Sequence, residues 1–143
     1  MTRRICLLIL CLLPSSLLQA DDYQDLQGVW ERKFLQNDRQ FHVRKKIEGN
    51  QETVTVTHQG TIVQKHVVKF ELSTEGPVKI FRWKKGRITE GNNAGKALTD
   101  GQMIYRLDGP LWFSVQGFLV DDQGAPTTEV YRRTGDAPVD QPS

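Results

Sequence analysis

The chain has 143 residues, of which 38% are hydrophobic and 25% are charged, with 19 Lys and Arg against 17 Asp and Glu. This length favours a single domain, and the composition is ordinary for a soluble globular protein. It excludes a collagen-like, an intrinsically disordered and a multi-span membrane chain.

Residues 1–20 have the pattern of a secretory signal peptide. Arg3 and Arg4 precede the apolar run Ile5–Leu13, Pro14 ends that run, and small residues lead to Ala20. This pattern predicts cleavage after Ala20. A run of nine apolar residues is short against the roughly 20 that a membrane-spanning helix needs. We therefore expect an exported protein, periplasmic or extracellular, with no transmembrane segment after cleavage.

Removal of the signal peptide would change the charge and the cysteine content. Without Arg3 and Arg4 the chain has 17 basic and 17 acidic residues, and both cysteines, Cys6 and Cys11, are lost. Thiol catalysis, disulfides and Cys-ligated metal sites are then excluded. Residues 31–106 still hold 15 basic against 8 acidic residues. This basic middle either solvates the outer face of a sheet or meets an anionic partner.

The body of the chain reads as consecutive short strands. From Gln27 to Arg133, apolar and polar residues alternate, and turn residues recur every 8 to 12 positions. Short connectors rich in Gly, Asp and Asn favour antiparallel hairpins. Closure into an all-β, up-and-down barrel of about eight or nine strands would remove exposed edges, and an open two-sheet sandwich is the alternative. The predicted strands are Gly28–Leu35, Gln40–Ile47, Gln51–His58, Thr61–Leu72, Val78–Trp83, Arg87–Glu90, Gln102–Leu107, Leu111–Val120 and Thr127–Arg133.

Two segments do not fit the strand pattern. Gly91–Gly101 is rich in Gly and Asn and is predicted to be a mobile loop, with one helical turn over Ala94–Leu98 as the alternative. The barrel domain is expected over residues 21–134. The tail, residues 135–143, has no large apolar group apart from Val139 and is expected to be disordered.

The alternation also predicts which side chains face the barrel interior. The expected interior is mainly aliphatic and aromatic with a few polar groups, the composition of a small-molecule cavity. Its best candidates for holding a ligand are His66, Gln64, Tyr105, Phe70 and Phe113. The other predicted interior positions are Phe41, Val43, Lys45, Ile47, Val54, Val56, Ile62, Val68, Leu72, Met103, Leu107, Leu111 and Val115.

The first strand carries a resemblance to a known family. Leu26-Gln27-Gly28-Val29-Trp30 forms an L-Q-G-x-W start, which resembles the G-x-W motif of lipocalins and related calycin barrels. More closely, residues 24–134 are similar to a bacterial family of small secreted lipocalin-like proteins, known mostly from planctomycetes. Those proteins share this start and end on a strand like Thr127–Arg133 after a turn like Gly124-Ala125-Pro126. The resemblance implies a lipocalin-like barrel and no particular ligand.

The resemblance also implies a structural role for four residues. Gly28 permits close backbone approach, and Trp30 plugs the closed end of the barrel. In the lipocalin pattern a basic residue of the last strand stacks on that indole, and Arg132 or Arg133 is placed to do so.

No catalytic constellation is found. The three histidines, His42, His58 and His66, lack metal-ligand spacing, so we expect no metal, no cofactor and no enzyme activity. Arg82-Trp83-Lys84-Lys85-Gly86-Arg87 is predicted to be a basic hairpin with an aromatic residue. It could meet an anionic polysaccharide or envelope surface, and the expected export excludes nucleic acid.

Two hypotheses follow. The leading one is a carrier or sensor that holds a small apolar or amphipathic molecule inside the barrel. The alternative is an interaction module with a filled barrel, in which the basic middle, with Trp83 and Trp112, meets an anionic surface or a protein. An enzyme inhibitor acting through Gly91–Gly101 is one form of that alternative.

Overall fold

The computed structural model describes residues 22–117 and 126–135, and strands dominate both ranges. A single helical turn, residues 22–26, precedes the first strand. The all-β prediction is confirmed. The strands are β1 (Gly28–Gln36), β2 (Arg39–Glu48), β3 (Gln51–His58), β4 (Thr61–Glu75), β5 (Val78–Gly91), β6 (Ala97–Leu98), β7 (Gly101–Asp108), β8 (Leu111–Gln116) and β9 (Thr127–Arg133).

The strands form a closed antiparallel barrel. Their order is β4-β3-β2-β1-β9-β8-β7-β5-β6, and an additional β4–β5 pairing closes the sheet. Eight strands make the barrel, while β6 pairs only with β5, at Gly86 and Arg87. The predicted up-and-down barrel is therefore confirmed against the open sandwich, and its form is consistent with a lipocalin-like barrel.

The predicted basic hairpin is wrong, because one strand runs through it. β5 continues from Val78 to Gly91, and a β-bulge opposite Val67–Lys69 takes the place of the expected turn. Lys85 has a positive φ of 54° at this bulge. Gly86 is buried, and a Cβ added to it would lie 2.7 Å from the Cβ of Leu98. The glycine thus allows β6 to pack closely against β5.

The segment between β5 and β7 forms neither of the predicted structures over Ala94–Leu98. Residues 92–95 form a turn, and Ala97–Leu98 is a strand instead of a helical turn. Two backbone hydrogen bonds fix the segment to β5: Gly95 N–H donates to Ile88 O at 2.8 Å, and Ile88 N–H donates to Lys96 O at 3.0 Å.

The interior face predicted for β8 is also wrong. Trp112 and Ser114 are fully buried, whereas Leu111, Phe113 and Val115 were expected inside. The hairpin register explains the difference, because it places Trp112 opposite Leu107 and Ser114 opposite Tyr105, both on the inward face of β7. Phe113 is opposite Arg106 on the outer face, where the guanidinium lies 4.9 Å from its ring centroid. Trp112 is therefore unavailable to a surface partner.

The helical turn closes one end of the barrel around Trp30. The indole Nε1–H donates to Leu26 O at 2.8 Å, and both side chains are fully buried. The guanidinium of Arg133 lies 4.2 Å from the Trp30 ring centroid and donates to Gln27 O at 2.7 Å. Gly28 enters β1 with a φ of 112°, which glycine adopts readily. Arg133 is thus the stacking residue, and Arg132 is exposed.

Aromatic side chains fill this closed end. Phe70 stacks on Tyr23 at 5.7 Å and on Phe81 at 4.4 Å between ring centroids. The hydroxyl of Tyr105 donates to Asp22 Oδ2 at 3.1 Å. Phe70 and Tyr105 were predicted to bind a ligand, but they belong to this packed layer.

The junction between β1 and β9 is the shortest of the barrel. Its paired residues are Trp30 with Arg133 and Glu31 with Arg132. Beyond them, the side chain of Arg32 reaches Glu129 across the junction through a charged hydrogen bond. We call this region the seam; its β1 side is residues 32–36 and its β9 side is residues 127–131.

Some predictions lie outside the described residues. These are the signal peptide over residues 1–20, the end of the predicted strand at residues 118–120, and the tail apart from Gly135. No helix in ranges 22–117 and 126–135 is long and apolar enough to cross a membrane.

Candidate functional site

A cavity of about 340 Å³ lies inside the barrel, and Trp30 and Trp112 are not among the residues that line it. Strands β1 to β5 and β7 to β9, together with β6, contribute to its lining. One wall consists of valines from β2, β3 and β4, and the facing wall holds larger apolar side chains. The apolar lining residues are Phe34, Val43, Val54, Val56, Val68, Trp83, Leu98 and Met103.

A buried ion pair between Lys45 and Glu52 forms part of the cavity lining. Nζ lies 3.0 Å from Oε1, and the two side chains are 6% and 5% exposed. Nζ also lies 4.6 Å from the ring centroids of both Trp112 and Tyr131. Desolvation acts to lower the pKa of Lys45, but the charge of Glu52 and weaker contributions from Tyr131 and Glu129 outweigh it and raise the pKa above its usual value. The ammonium group therefore stays charged inside the barrel.

A second ion pair, between Arg32 and Glu129, lies at the seam. Arg32 binds one carboxylate oxygen of Glu129, and the hydroxyl of Tyr131 donates to the other oxygen at 2.8 Å. The guanidinium also packs over the rings of Phe34 at 4.6 Å and Tyr131 at 5.3 Å. Burial raises the pKa of Tyr131, so its hydroxyl remains a donor. Arg32 Nε is buried and has no hydrogen-bond partner among the described residues.

His66 is the predicted ligand-binding residue that lines the cavity. It projects from β4 opposite Val54, and its Nδ1 lies 3.1 Å from Nε2 of Gln64. Desolvation lowers the pKa of His66 and Lys45 lowers it further, which exceeds the opposite effect of Glu52. The imidazole is therefore neutral at neutral pH.

Four charged residues of the cavity were not predicted as site residues: Arg32, Lys45, Glu52 and Glu129. The signal for two of them is visible in the sequence. Lys45 shares its strand face with Val43 and Ile47, and Glu52 shares its face with Val54. Two opposite charges on the apolar faces of adjacent strands indicate a buried pair, because single buried charges are rarely tolerated.

The side chains of the predicted basic hairpin, Arg82–Arg87, do not all lie on one surface of the barrel. Arg82 is neutralised by Glu75 at 2.7 Å and also donates to Ser73 and Gln102. Trp83 lines the cavity and donates to Thr99 O at 3.0 Å. The exposed cations that remain are Lys84, Lys85 and Arg87, which the bulge brings beside Lys69.

Within the described ranges, no group of three or more His, Cys, Asp or Glu side chains could hold a metal ion. Comparisons with known proteins found no match, whether to a family model, a curated protein or a solved structure. Function is therefore inferred from the barrel and its cavity.

Proposed function

We propose that this protein is a non-enzymatic carrier or sensor that binds a small amphipathic molecule in the barrel cavity. The observation that carries the proposal is a cavity of about 340 Å³ with valine-rich walls, one buried ion pair and one partly buried ion pair. Sites for small molecules have volumes of roughly 300–1,000 Å³, with mostly apolar walls and a few placed polar groups.

The volume limits the size of the ligand. An apolar protein cavity of about 150 Å³ is large enough to bind benzene. The present cavity has about twice that volume, which suits a molecule of roughly a dozen non-hydrogen atoms. An apolar part would lie against Val43, Val54 and Val56, and a polar end would lie near Lys45 and Arg32.

The buried charges support a binding role more than a structural one. A buried ion pair contributes little net stability, because desolvation offsets most of the attraction between the charges. Well-packed apolar side chains at Lys45 and Glu52 would serve a purely structural barrel at least as well. Departures of this kind from a simple apolar core concentrate at functional sites.

Native mass spectrometry of residues 21–143 in a lipid and metabolite extract tests the proposal. We expect a discrete bound mass in the parent chain. Val56→Phe, which places a ring in the cavity, should abolish that mass. Phe113→Leu on the outer face is the matched control and should retain it. A bare protein mass at every extract concentration, or an adduct that Val56→Phe leaves unchanged, would count against the cavity as a binding site.

A second candidate function is an interaction module for an anionic polysaccharide or surface. The observation that favours it is the β4–β5 bulge, which places Lys69 opposite Lys84 and beside Lys85 and Arg87 on the outer face. The nearest carboxylate with a defined ion pair is Glu71, at 3.7 Å from Lys84 Nζ. The cavity argues against the filled barrel that this hypothesis first assumed.

A further inference from the structure

We infer that the cavity selects molecules whose polar end is uncharged and forms hydrogen bonds, such as an alcohol or an amide, over carboxylates and amines with the same apolar part. The structural basis is the juxtaposition of two internal ion pairs, Lys45–Glu52 and Arg32–Glu129, around one cavity. This inference rests on the proposed function, because it describes the ligand of that site.

The charges of the described lining residues balance. Arg32 and Lys45 supply two positive charges, Glu52 and Glu129 supply two negative charges, and each cation is paired with one carboxylate. The other described lining residues are apolar or polar without charge. His66 belongs to this neutral group, because desolvation keeps its imidazole unprotonated near neutral pH.

An ionic ligand would disturb this balance in either direction. A ligand carboxylate would have to draw Lys45 or Arg32 from its partner, which would leave Glu52 unpaired and buried or Glu129 unpaired and partly buried. A ligand amine would compete for Glu52 or Glu129 and would leave Lys45 or Arg32 as the unpaired charge. Unpaired buried charges are strongly destabilising, whereas an uncharged ligand leaves both pairs intact.

One donor and one acceptor of the cavity lining lack a hydrogen bond. Glu129 is already engaged at both oxygens, by Arg32 and by the Tyr131 hydroxyl. Arg32 Nε, a donor, has no hydrogen-bond partner in the described part of the chain, and Glu52 Oε1, an acceptor, has the Lys45 ammonium at 3.0 Å but no hydrogen bond. Unsatisfied buried polar atoms are costly, so an uncharged group that both donates and accepts, such as a hydroxyl or an amide, would suit this lining better than an ion.

A matched series of ten-carbon probes tests the inference: 1-decanol, decanamide, decanoate and decylammonium at pH 7. Binding to residues 21–143 is measured by titration calorimetry. We expect each neutral probe to bind at least about 10-fold more tightly than either ion. The reason is that the cost of disrupting one buried ion pair is larger than the free energy of a tenfold change in affinity. Tightest binding of decanoate or decylammonium would overturn the inference and leave the proposed function intact. No binding of any probe would overturn both.

Neutral probes also enter any apolar cavity more readily, so charge variants supply the decisive comparison. Glu52→Gln leaves an unpaired Lys45 and should move the relative affinity toward decanoate by at least about 10-fold. Lys45→Met should move it toward decylammonium. Glu48→Gln, an exposed carboxylate on the outer face, is the control and should change nothing. Equal selectivity in Glu52→Gln and Glu48→Gln would overturn the inference.

Thermal unfolding verifies that each variant is folded before the titration. If Glu52→Gln does not fold, Glu129→Gln removes the other internal carboxylate and carries the same expectation. In that variant the amide keeps one acceptor oxygen for Tyr131 or Arg32, and Arg32 becomes the unpaired cation.

Discussion

Trp30 and Arg133 show how one pair of residues closes the end of the barrel. The indole is fully buried and bonded to Leu26 O, and the guanidinium covers its face at 4.2 Å. Arg133 also bonds two carbonyls of the N-terminal segment, at Gln27 and Asp25. The contact therefore joins the first strand, the last strand and the helical turn.

Replacement of Trp30 by Ala should lower the free energy of unfolding by about 3–5 kcal/mol, as for other large core truncations. The change is measured by urea denaturation monitored by circular dichroism. A loss below about 1 kcal/mol would show that Trp30 is not part of the core.

The neighbouring arginines provide an internal comparison. Arg133→Met should cost about 1–2 kcal/mol, because it removes a desolvated cation–π contact and the hydrogen bonds to carbonyls. Arg132→Met, at an exposed position of the same strand, should cost less than about 0.5 kcal/mol. Equal losses in the two denaturation curves would contradict the assignment of Arg133 as the stacking residue.

The sequence narrows this contact to two residues but cannot choose between them. Each of the two faces of Thr127–Arg133 carries one large apolar or aromatic residue: Val130 on the face of Arg132, and Tyr131 on the face of Arg133. The pattern is therefore equally consistent with either face pointing inward. The same ambiguity explains β8, where Leu111, Trp112 and Phe113 are apolar in succession and only the hairpin register decides.

At the scale of elements, the seam is the part of the barrel with the least backbone pairing. Along β1, alternate residues direct their backbone N–H and C=O groups toward β9 and toward β2. Thr134 N–H donates to Val29 O at 2.9 Å, so Val29 and every second residue after it face β9. The backbone groups of Lys33 and Leu35 therefore point toward β9, where the ladder has already ended. Those of Arg32 and Phe34 point toward β2, with which the ladder continues to Gln36.

Amide hydrogen exchange followed by NMR tests this difference along one strand. We expect Lys33 and Leu35 to exchange faster than Arg32 and Phe34 by on the order of 100-fold, because only the latter pair has ladder hydrogen bonds to break. The alternate residues serve as internal controls, since all four lie in the same strand. Similar protection at all four amides would mean that the β1–β9 ladder extends past Glu31.

At the scale of the whole molecule, several carboxylates of the outer surface form ion pairs with neighbouring cations. Glu31, Glu48, Glu75 and Glu90 are each paired with a neighbouring cation on the outer surface. The cluster at the bulge, which consists of Lys69, Lys84, Lys85 and Arg87, has one ion pair to the part of the chain that the structure describes, from Lys84 to Glu71. Lys69, Lys85 and Arg87 thus place unpaired positive charge close together, whereas the other exposed cations without an ion pair in the described ranges lie at separate positions: Lys33, Arg39, Lys96 and Arg132.

The triple variant Lys84→Gln, Lys85→Gln and Arg87→Gln should elute from a sulfated polysaccharide column at clearly lower salt than the parent chain. The reason is that exposed charges act over a Debye length of about 8–10 Å, so a dense cluster binds polyanions best. The control variant Lys33→Gln, Arg39→Gln and Arg132→Gln has the same net charge. Equal elution of the two variants would show that net charge alone governs retention.

The barrel could be predicted from the sequence, but the cavity and its polar groups could be predicted only in part. Alternation and turn residues determine the strands, and the need to remove edges determines closure. The sequence pattern predicts a turn instead of the bulge at Lys85, because Gly86 resembles a turn residue. In the structure Gly86 allows close packing against Leu98. Whether an interior is filled depends on how side chains from all the strands meet, so Phe70 and Tyr105 could not be separated from His66 by pattern alone.

The helical turn at residues 22–26 has a consequence for the time course of folding. Asp22 bonds Lys79 and Tyr105, which lie 57 and 83 residues later, and Trp30 pairs with Arg133 in the last strand. During synthesis the β1 side of this pairing is made about a hundred residues before its β9 side. Closure is therefore the last step, and contacts so distant along the chain place folding in the slow range of milliseconds to seconds. Until then the unpaired backbone edge of β1 is open to aggregation.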